Sequence, residues 1–224
     1  MGLEIEVLPD AEAVAHRGSE LVAERATAAI AEHGRFTFAV SGGRTPWRMF
    51  ADLAGKLPWE KVTIFQVDER VAPEGDPDRN LTNLLRSLPP GGAADVRAMP
   101  VEADDLERAA ADYAAALPEA FDLVHLGLGP DGHTASLVPG DPVLDVTDRA
   151  VAVTGEYQGR RRMTLTYPAL DRARELLWLV TGEDKVDALR RLREGDRSIP
   201  AGRVSSESAI VVADEAAAPR GSRP

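Results

Sequence analysis

An acid and an imidazole stand two positions apart in a loop crowded with glycine and proline, residues 127–136. They are Asp131 and His133. Imidazole exchanges a proton near neutral pH, so His133 could act as a general base while Asp131 orients its ring. A loop histidine without a role is the competing interpretation, but the cost of ordering so many glycines disfavours it. The pair therefore predicts acid–base chemistry.

A second polar motif follows a predicted strand and reads Ser41, Gly42, Gly43, Arg44 and Thr45. Two glycines let backbone N–H groups come close to a ligand, and the N-terminus of the helix predicted next favours an anion. The spacing matches neither GxxxxGK[ST] nor GxGxxG. A tight turn with Thr45 as the helix N-cap explains the same residues, so this motif alone leaves both interpretations open.

A third motif, Asp68, Glu69 and Arg70, is predicted as a loop after another apolar strand. A solvated run of charges is one interpretation. The other is functional, because a carboxylate beside a permanently charged guanidinium can hold an anionic intermediate.

Alternating strands and helices must position these three motifs. The predicted strands cover 4–8, 35–40, 61–67, 96–99, 121–126, 150–154, 163–166, 176–180 and 209–212, and the predicted helices cover 11–32, 46–55, 81–88, 104–117 and 182–194. This alternation predicts an α/β fold with a mostly parallel open sheet and helices on both faces. Ligands of such sheets bind beyond the carboxyl ends of the strands, where we expect the motifs to meet.

Length and composition limit the other possibilities. The 224 residues are expected to form a single α/β domain over 1–213, with a frayed tail at 214–224 and a surface turn at 89–92. The chain has no cysteine, which excludes disulfides, thiolate metal sites and a cysteine nucleophile. Its net charge of −11 disfavours nucleic acids and anionic membranes as partners.

The N-terminal sequence lacks the basic and apolar regions of a secretory signal, and no apolar run approaches the length of a membrane-spanning helix. We therefore expect a cytoplasmic protein without membrane contact.

Two common kinds of catalytic site find no support. There is no GxSxG nucleophile elbow and no HExxH pair, so a hydrolase of this sequence would use water as the attacking group and no metal. His16 and His33 are expected on a helix surface, and His125 is expected to be a core residue with satisfied hydrogen bonds.

Taken in this order, the three motifs resemble the 6-phosphogluconolactonase family, which is related to the glucosamine-6-phosphate isomerase/deaminase family. The resemblance continues into 162–166 and the helix that holds Lys185, and covers about 36–212. It implies a Rossmann-like fold of the deaminase/lactonase type. It also implies hydrolysis of 6-phospho-D-glucono-1,5-lactone to 6-phospho-D-gluconate in the oxidative pentose phosphate pathway. No metal or organic cofactor is implied, and we expect a monomer or weak homo-oligomer whose partner is this phosphorylated sugar lactone.

The resemblance also implies roles for individual residues. The phosphate would be held by Ser41, Gly42, Gly43, Arg44 and Thr45 together with Arg162 and Lys185. His133 would activate water, and Arg70 would stabilise the oxyanion or position the lactone. Asp68 and Asp131 would orient His133 and the sugar hydroxyls.

Two residues depart from the usual family pattern. Val138 replaces a common phenylalanine, and Arg79 replaces a common serine before Asn80. Asn80 could contact the substrate but is not among the predicted site residues.

Two alternative functions remain open. A glucosamine-6-phosphate deaminase/isomerase would use a similar phosphate loop, but such enzymes usually carry an aromatic residue where this chain has Arg70. A non-catalytic sugar-phosphate sensor domain is expected to accompany a basic helix-turn-helix segment, and neither end of this sequence resembles one.

Overall fold

The computed structural model describes residues 3, 5–89, 95–205 and 208–218. The strands are β1 (Ile5–Leu8), β2 (Phe36–Val40), β3 (Val62–Gln66), β4 (Asp68–Arg70), β5 (Asp95–Arg97), β6 (Leu123–Leu126), β7 (Val151–Val153), β8 (Arg162–Leu165), β9 (Leu176–Val180) and β10 (Ala209–Asp214). The α-helices are α1 (Ala11–His33), α2 (Arg44–Asp52), α3 (Asn80–Ser87), α4 (Leu106–Ala115), α5 (Tyr167–Leu170) and α6 (Val186–Arg193).

Seven strands form one parallel sheet in the order β1-β10-β9-β6-β2-β3-β5. Its central strands β2, β6 and β9 are buried along their whole length, as expected for apolar runs covered on both faces. Helices α1 and α2 pack with the core on one face, and α4 packs on the other beside β7 and β8. The predicted α/β fold with a mostly parallel sheet is confirmed.

The sheet order brings the ends of four neighbouring strands to one edge. The strands β9, β6, β2 and β3 are adjacent and parallel, so the segments after their carboxyl ends lie side by side. Those segments contain the predicted motifs at Ser41, Asp68 and His133, and also Lys185. The expectation that these strands are neighbours is confirmed.

The prediction of a loop at Asp68–Arg70 was wrong. These residues form β4, which belongs to a separate three-stranded antiparallel sheet in the order β4-β8-β7. Val67 joins the two sheets, because its N–H bonds to Val40 and its carbonyl accepts from the N–H of Leu165. A strand of three polar residues has no apolar alternation that could reveal it in the sequence.

Thr45 does not cap α2, contrary to the sequence-based interpretation. The helix begins at Arg44, and its N-cap is Gly43 with φ 144°, a backbone conformation that favours glycine. Thr45 therefore lies in the first turn, where its hydroxyl shares a hydrogen bond of 3.1 Å with that of Thr181.

The single domain over 1–213 stays a prediction. Within the described residues, β10 reaches Asp214 and the side chain of Ala217 is fully buried, so packed structure extends past 213. The other part of the predicted tail, 219–224, lies outside the described residues, as do residue 4 of the first predicted strand and 90–92 of the predicted surface turn.

Candidate active site

A cavity of about 170 Å³ opens at the edge of the parallel sheet where the predicted motifs converge. Seven of the predicted site residues line it: Ser41, Gly42, Asp68, Arg70, His133, Arg162 and Lys185. Its remaining lining comes from Asn80, Gly127, Leu128, Gly129 and Ala135. The structure thus gathers residues from both sheets around one small polar cavity.

Four predicted site residues do not line this cavity. Asp131 lies directly behind His133, as described below. Arg44 and Thr45 line a neighbouring depression together with Asp184 and Asp214, and Gly43 lines neither.

His133 and Asp131 form a close pair. The Nδ1 of His133 lies 2.6 Å from Oδ1 of Asp131, and the His133 backbone N–H donates to the same oxygen. A bond from Nδ1–H to the carboxylate leaves Nε2 as the basic nitrogen. Gly129 makes this geometry possible, because a Cβ there would lie 2.0 Å from the imidazole Nδ1.

Two opposing effects act on the carboxyl group of Asp131. Burial alone would raise its pKa, but the backbone N–H, charge and side-chain hydrogen bond of His133 together hold the pKa below its ordinary value. Asp131 is therefore kept as a carboxylate that can orient the ring and stabilise an imidazolium.

Asp68 lines the cavity, and its carboxylate is hydrogen-bonded to residues other than His133. Its Oδ2 accepts a hydrogen bond of 2.7 Å from Ser136 Oγ, and its Oδ1 accepts a longer one from Asn80 Nδ2. Of the two acids expected to orient His133, only Asp131 has a hydrogen bond to it within the described residues.

Glu69 is the buried support of the Arg70 side of the cavity. Its side chain is fully buried, and it accepts four hydrogen bonds of 2.8 Å, from the backbone N–H groups of Arg70, Asn80 and Leu81 and from Gln66 Nε2. Arg79 Nε forms an ion pair with it at 3.6 Å. Glu69 thereby binds the free N–H groups at the start of α3 and fixes Asn80 next to β4.

Asn80 transmits this order to the cavity. Its Oδ1 accepts a hydrogen bond from Arg70 Nη1, and its Nδ2 donates to the carbonyl of Asp68. A Cβ on Gly42 would lie 1.9 Å from Asn80 Oδ1, so only glycine fits opposite this amide. The same Nη1 of Arg70 also donates to the carbonyl of Asp78, at 3.0 Å.

Two buried polar atoms among the residues that line the cavity lack partners. Ser41 Oγ and Arg162 Nε have no hydrogen-bond partner among the described residues, although both side chains are about 95% buried. Burial lowers the pKa of Arg162, and Arg70 acts in the same direction while Asp68 and Tyr157 oppose them. Lys185 stands beside them with its Nζ 2.8 Å from Asp184. Since buried polar groups are nearly always paired, these unpaired atoms beside Lys185 have the character of an anion-binding site.

His125 differs from the sequence-based expectation in one respect. It is a buried core residue, as expected, but neither ring nitrogen has a hydrogen-bond partner within the described residues. Burial lowers its pKa to about 3, so it stays neutral at working pH.

Sequence reasoning missed two residues beside the cavity, Tyr157 and Gln158. Arg162 Cζ lies 4.9 Å from the centroid of the Tyr157 ring, and Gln158 Oε1 accepts a hydrogen bond from Arg162 Nη2. Both residues lie in the connection between β7 and β8. Two glycines that flank this pair between two predicted strands were the available indication of a hairpin.

Comparison with known proteins identifies the family. The model of the glucosamine-6-phosphate isomerases/6-phosphogluconolactonase family matches residues 9–212. The chain belongs to this family. It is 39% identical over 207 residues to a 6-phosphogluconolactonase of Synechocystis sp., and the alignment covers 84% of each chain. It is also 35% identical over 225 residues to the 6-phosphogluconolactonase of Rattus norvegicus, which covers 89% of this chain and 86% of that protein.

Solved structures of the family have the same fold. The 6-phosphogluconolactonase of Thermotoga maritima superimposes with a TM-score of 0.84 at 26% identity, over 94% of this chain and 99% of that one. A monomeric glucosamine-6-phosphate deaminase superimposes with a TM-score of 0.78 at 18% identity, which is a likeness of fold alone. The resemblance drawn from the motifs is confirmed at the level of the family.

Two kinds of feature are absent from the residues that the structure describes. The described residues contain no group of three or more histidine, aspartate or glutamate side chains that could hold a metal ion. No helix in the same residues has the length and apolar character needed to cross a membrane.

Proposed function

We propose that this protein hydrolyses 6-phospho-D-glucono-1,5-lactone to 6-phospho-D-gluconate, in the oxidative pentose phosphate pathway. The observation that carries the proposal is a His133–Asp131 pair on the same cavity as Arg70 and the unpaired Ser41 and Arg162. The names of the relatives support the same activity.

The phosphate binds on the side of Ser41, Arg162 and Lys185. The unpaired Oγ of Ser41 and Nε of Arg162 supply donors, and Lys185 adds a positive charge. Each hydrogen bond to a charged group is worth about 1.5–3 kcal/mol. Gly42 can contribute its backbone N–H, whereas Arg44 and Thr45 line the next depression and would contact only a phosphate that extends there.

The lactone carbonyl lies toward His133 and Arg70. Nε2 of His133 takes a proton from a water molecule, whose oxygen attacks C1 and forms a tetrahedral oxyanion. The guanidinium of Arg70 stabilises that negative charge, and Asp131 stabilises the imidazolium. The bond between C1 and the ring oxygen then breaks, and the ring oxygen receives the proton from His133 and becomes the C5 hydroxyl.

The position of Asp68 favours hydrolysis over amino-sugar isomerisation. A deaminase must move a proton beside a carbonyl group, which requires an additional free base in the cavity. Both oxygens of Asp68 are already hydrogen-bonded, to Ser136 and Asn80, which limits its use as that base. Asp68 instead serves as the counter-charge of Arg162 and holds it close to the substrate.

The test is an assay on freshly made lactone with a no-enzyme control, because lactones also hydrolyse unaided. We expect the protein to accelerate loss of 6-phosphogluconolactone and to release no ammonia from glucosamine 6-phosphate. Ammonia release without an effect on the lactone would favour the deaminase. Phosphosugar binding without either reaction would favour the sensor domain.

We further infer that the enzyme works in the cytoplasm without a metal or organic cofactor, and as a monomer or weak homo-oligomer. Its acidic charge of −11 and lack of cysteine are compatible with that compartment. Activity after treatment with a chelator tests whether a metal is needed. Size-exclusion chromatography with light scattering tests the oligomeric state.

A further inference from the structure

The ring of Tyr157 contacts two residues that line the cavity, His133 and Arg162. Its centroid lies 5.7 Å from that of the His133 imidazole at an interplanar angle of 65°, an edge-to-face contact. Arg162 lies over the face of the same ring, 4.9 Å from the centroid. We propose that Tyr157 is a positioning residue that holds His133 and Arg162 at a fixed separation, an inference that rests on the proposed function.

The hairpin that carries Tyr157 is itself anchored. The N–H of Tyr157 bonds to the carbonyl of Arg160 at 3.0 Å, and Arg160 donates to Asp76 on the segment that leads to α3. Gln158 has φ 53°, in the left-handed region that side chains rarely adopt, and uses its Oε1 to hold Arg162. The tyrosine ring is thus presented by a turn that is fixed at several points.

The chemistry of the contact suits a residue that positions others. A cation held against a ring face is attracted by the negative face of the ring quadrupole. This contact uses none of the five N–H donors of the guanidinium. Arg162 is therefore held in place while its unpaired Nε stays available for a phosphate oxygen. The ring edge at the same time restricts rotation of the imidazole.

The aromatic ring, and not the hydroxyl group, carries this role. The Tyr157 hydroxyl lies 3.5 Å from Asp131 Oδ2, too far for a strong hydrogen bond. Phenylalanine should therefore replace tyrosine with little loss, whereas a side chain without a π-face should not.

The experiment compares three variants with wild type in the lactonase assay. For Tyr157→Leu we expect kcat/KM to fall by about tenfold or more, with a raised KM and a lowered kcat, because one change releases both Arg162 and His133. Tyr157→Phe should stay within about threefold of wild type, since the ring remains. Tyr157→Met, which is unbranched and flexible, takes the place of the leucine variant if that does not fold.

Tyr167→Leu is the matched control. Tyr167 is also part-buried, but its hydroxyl donates to the carbonyl of Pro200 and its side chain does not line the cavity. This control should lower Tm without changing kcat or KM. If Tyr157→Leu likewise changes Tm alone, the positioning role is wrong. If Tyr157→Phe loses as much activity as Tyr157→Leu, the assignment to the ring is wrong.

A double-mutant cycle with Arg162→Ala separates the two halves of the proposal. In the Arg162→Ala background, Tyr157→Leu should no longer raise KM but should still lower kcat. An unchanged effect on KM would contradict the link through Arg162. A wild-type protein without lactonase activity would contradict the proposed function itself, whereas an active wild type with an equally active Tyr157→Leu would contradict only the role of Tyr157.

Discussion

Glu69 and Arg162 are buried charged residues on the paired strands β4 and β8, and the hydrogen-bonding capacity of their side chains is satisfied differently. The oxygens of Glu69 accept four short hydrogen bonds from this chain. Arg162 Nε, and Ser41 Oγ with it, have no partner among the described residues. A buried polar atom without a hydrogen-bond partner costs free energy. Natural proteins therefore retain such an atom where a ligand supplies the missing partner.

This difference separates residues that support the fold, such as Glu69, from residues that recognise the substrate, Ser41 and Arg162. The Glu69 network is complete in the free protein, so its removal should destabilise the fold. Ser41 Oγ and Arg162 Nε have no partner among the described residues, so removal of these side chains should weaken substrate binding more than it affects folding. His133 combines both conditions on one ring, because Nδ1 is bonded to Asp131 while Nε2 is left for water.

The largest effect is expected for His133→Ala. Loss of a general base should lower kcat by about 10²–10⁴-fold, with a small change in KM, because the phosphate donors remain. Steady-state kinetics on the phosphorylated lactone measure this, and His16→Ala on the exposed side of α1 is the matched control. A His133→Ala protein with the full wild-type rate would exclude this base.

Glu69→Ala tests the supporting side. It leaves four donors and the Arg79 guanidinium without their acceptor, so the free energy of unfolding should fall by about 3–5 kcal/mol. Urea denaturation gives this value. Glu102→Ala is the control, because Glu102 also pairs with Arg79 but is half exposed. Equal losses in the two variants would show that the buried network adds nothing to stability.

Arg162→Ala tests the recognising side. The lost charged hydrogen bonds should raise KM for the phosphorylated lactone by about 10–100-fold. The free energy of unfolding should fall by less than in Glu69→Ala, because the Arg162 side chain has fewer hydrogen bonds within the chain than that of Glu69. Lys185→Ala should act in the same direction. Hydrolysis of unphosphorylated gluconolactone is the internal control, since it should not respond to either change. A loss of stability with an unchanged KM would show that Arg162 supports the fold and does not bind the substrate.

The smallest effect is expected for Ser41→Ala. A neutral hydroxyl that donates to the charged phosphate contributes at the lower end of about 1.5–3 kcal/mol, so KM should rise about tenfold. The free energy of unfolding should stay level or increase, because a buried hydroxyl without a partner is removed. A measurable loss of stability would mean that this hydroxyl has a partner in the free protein.

The sequence was informative where a short segment decides the structure. Gly129, Asp131 and His133 belong to one loop, so their spacing alone indicated a pair. The alternation of apolar strands and amphipathic helices predicted the large sheet for the same reason, because each element shows its own period.

Features that join distant segments could not be predicted in this way. The pairing of Arg70 with Arg162 connects residues 92 positions apart, and one of the two strands, β4, is polar throughout and has no apolar pattern. Asn80 faces the cavity because Glu69 binds the start of α3, and Tyr157 faces it because of a hairpin between two short strands. Each of these positions is decided by tertiary contacts.

The pairing of Arg70 with Arg162 has a consequence for how a substrate arrives. Two guanidinium groups at matched positions on adjacent antiparallel strands repel each other, and Arg70 helps to lower the pKa of Arg162. The chain as a whole carries −11, so a phosphate ester approaching from a distance is repelled. Salt limits the attraction of the two guanidinium groups to about a Debye length, about 8 Å at physiological ionic strength. Capture of the phosphate is therefore a short-range event.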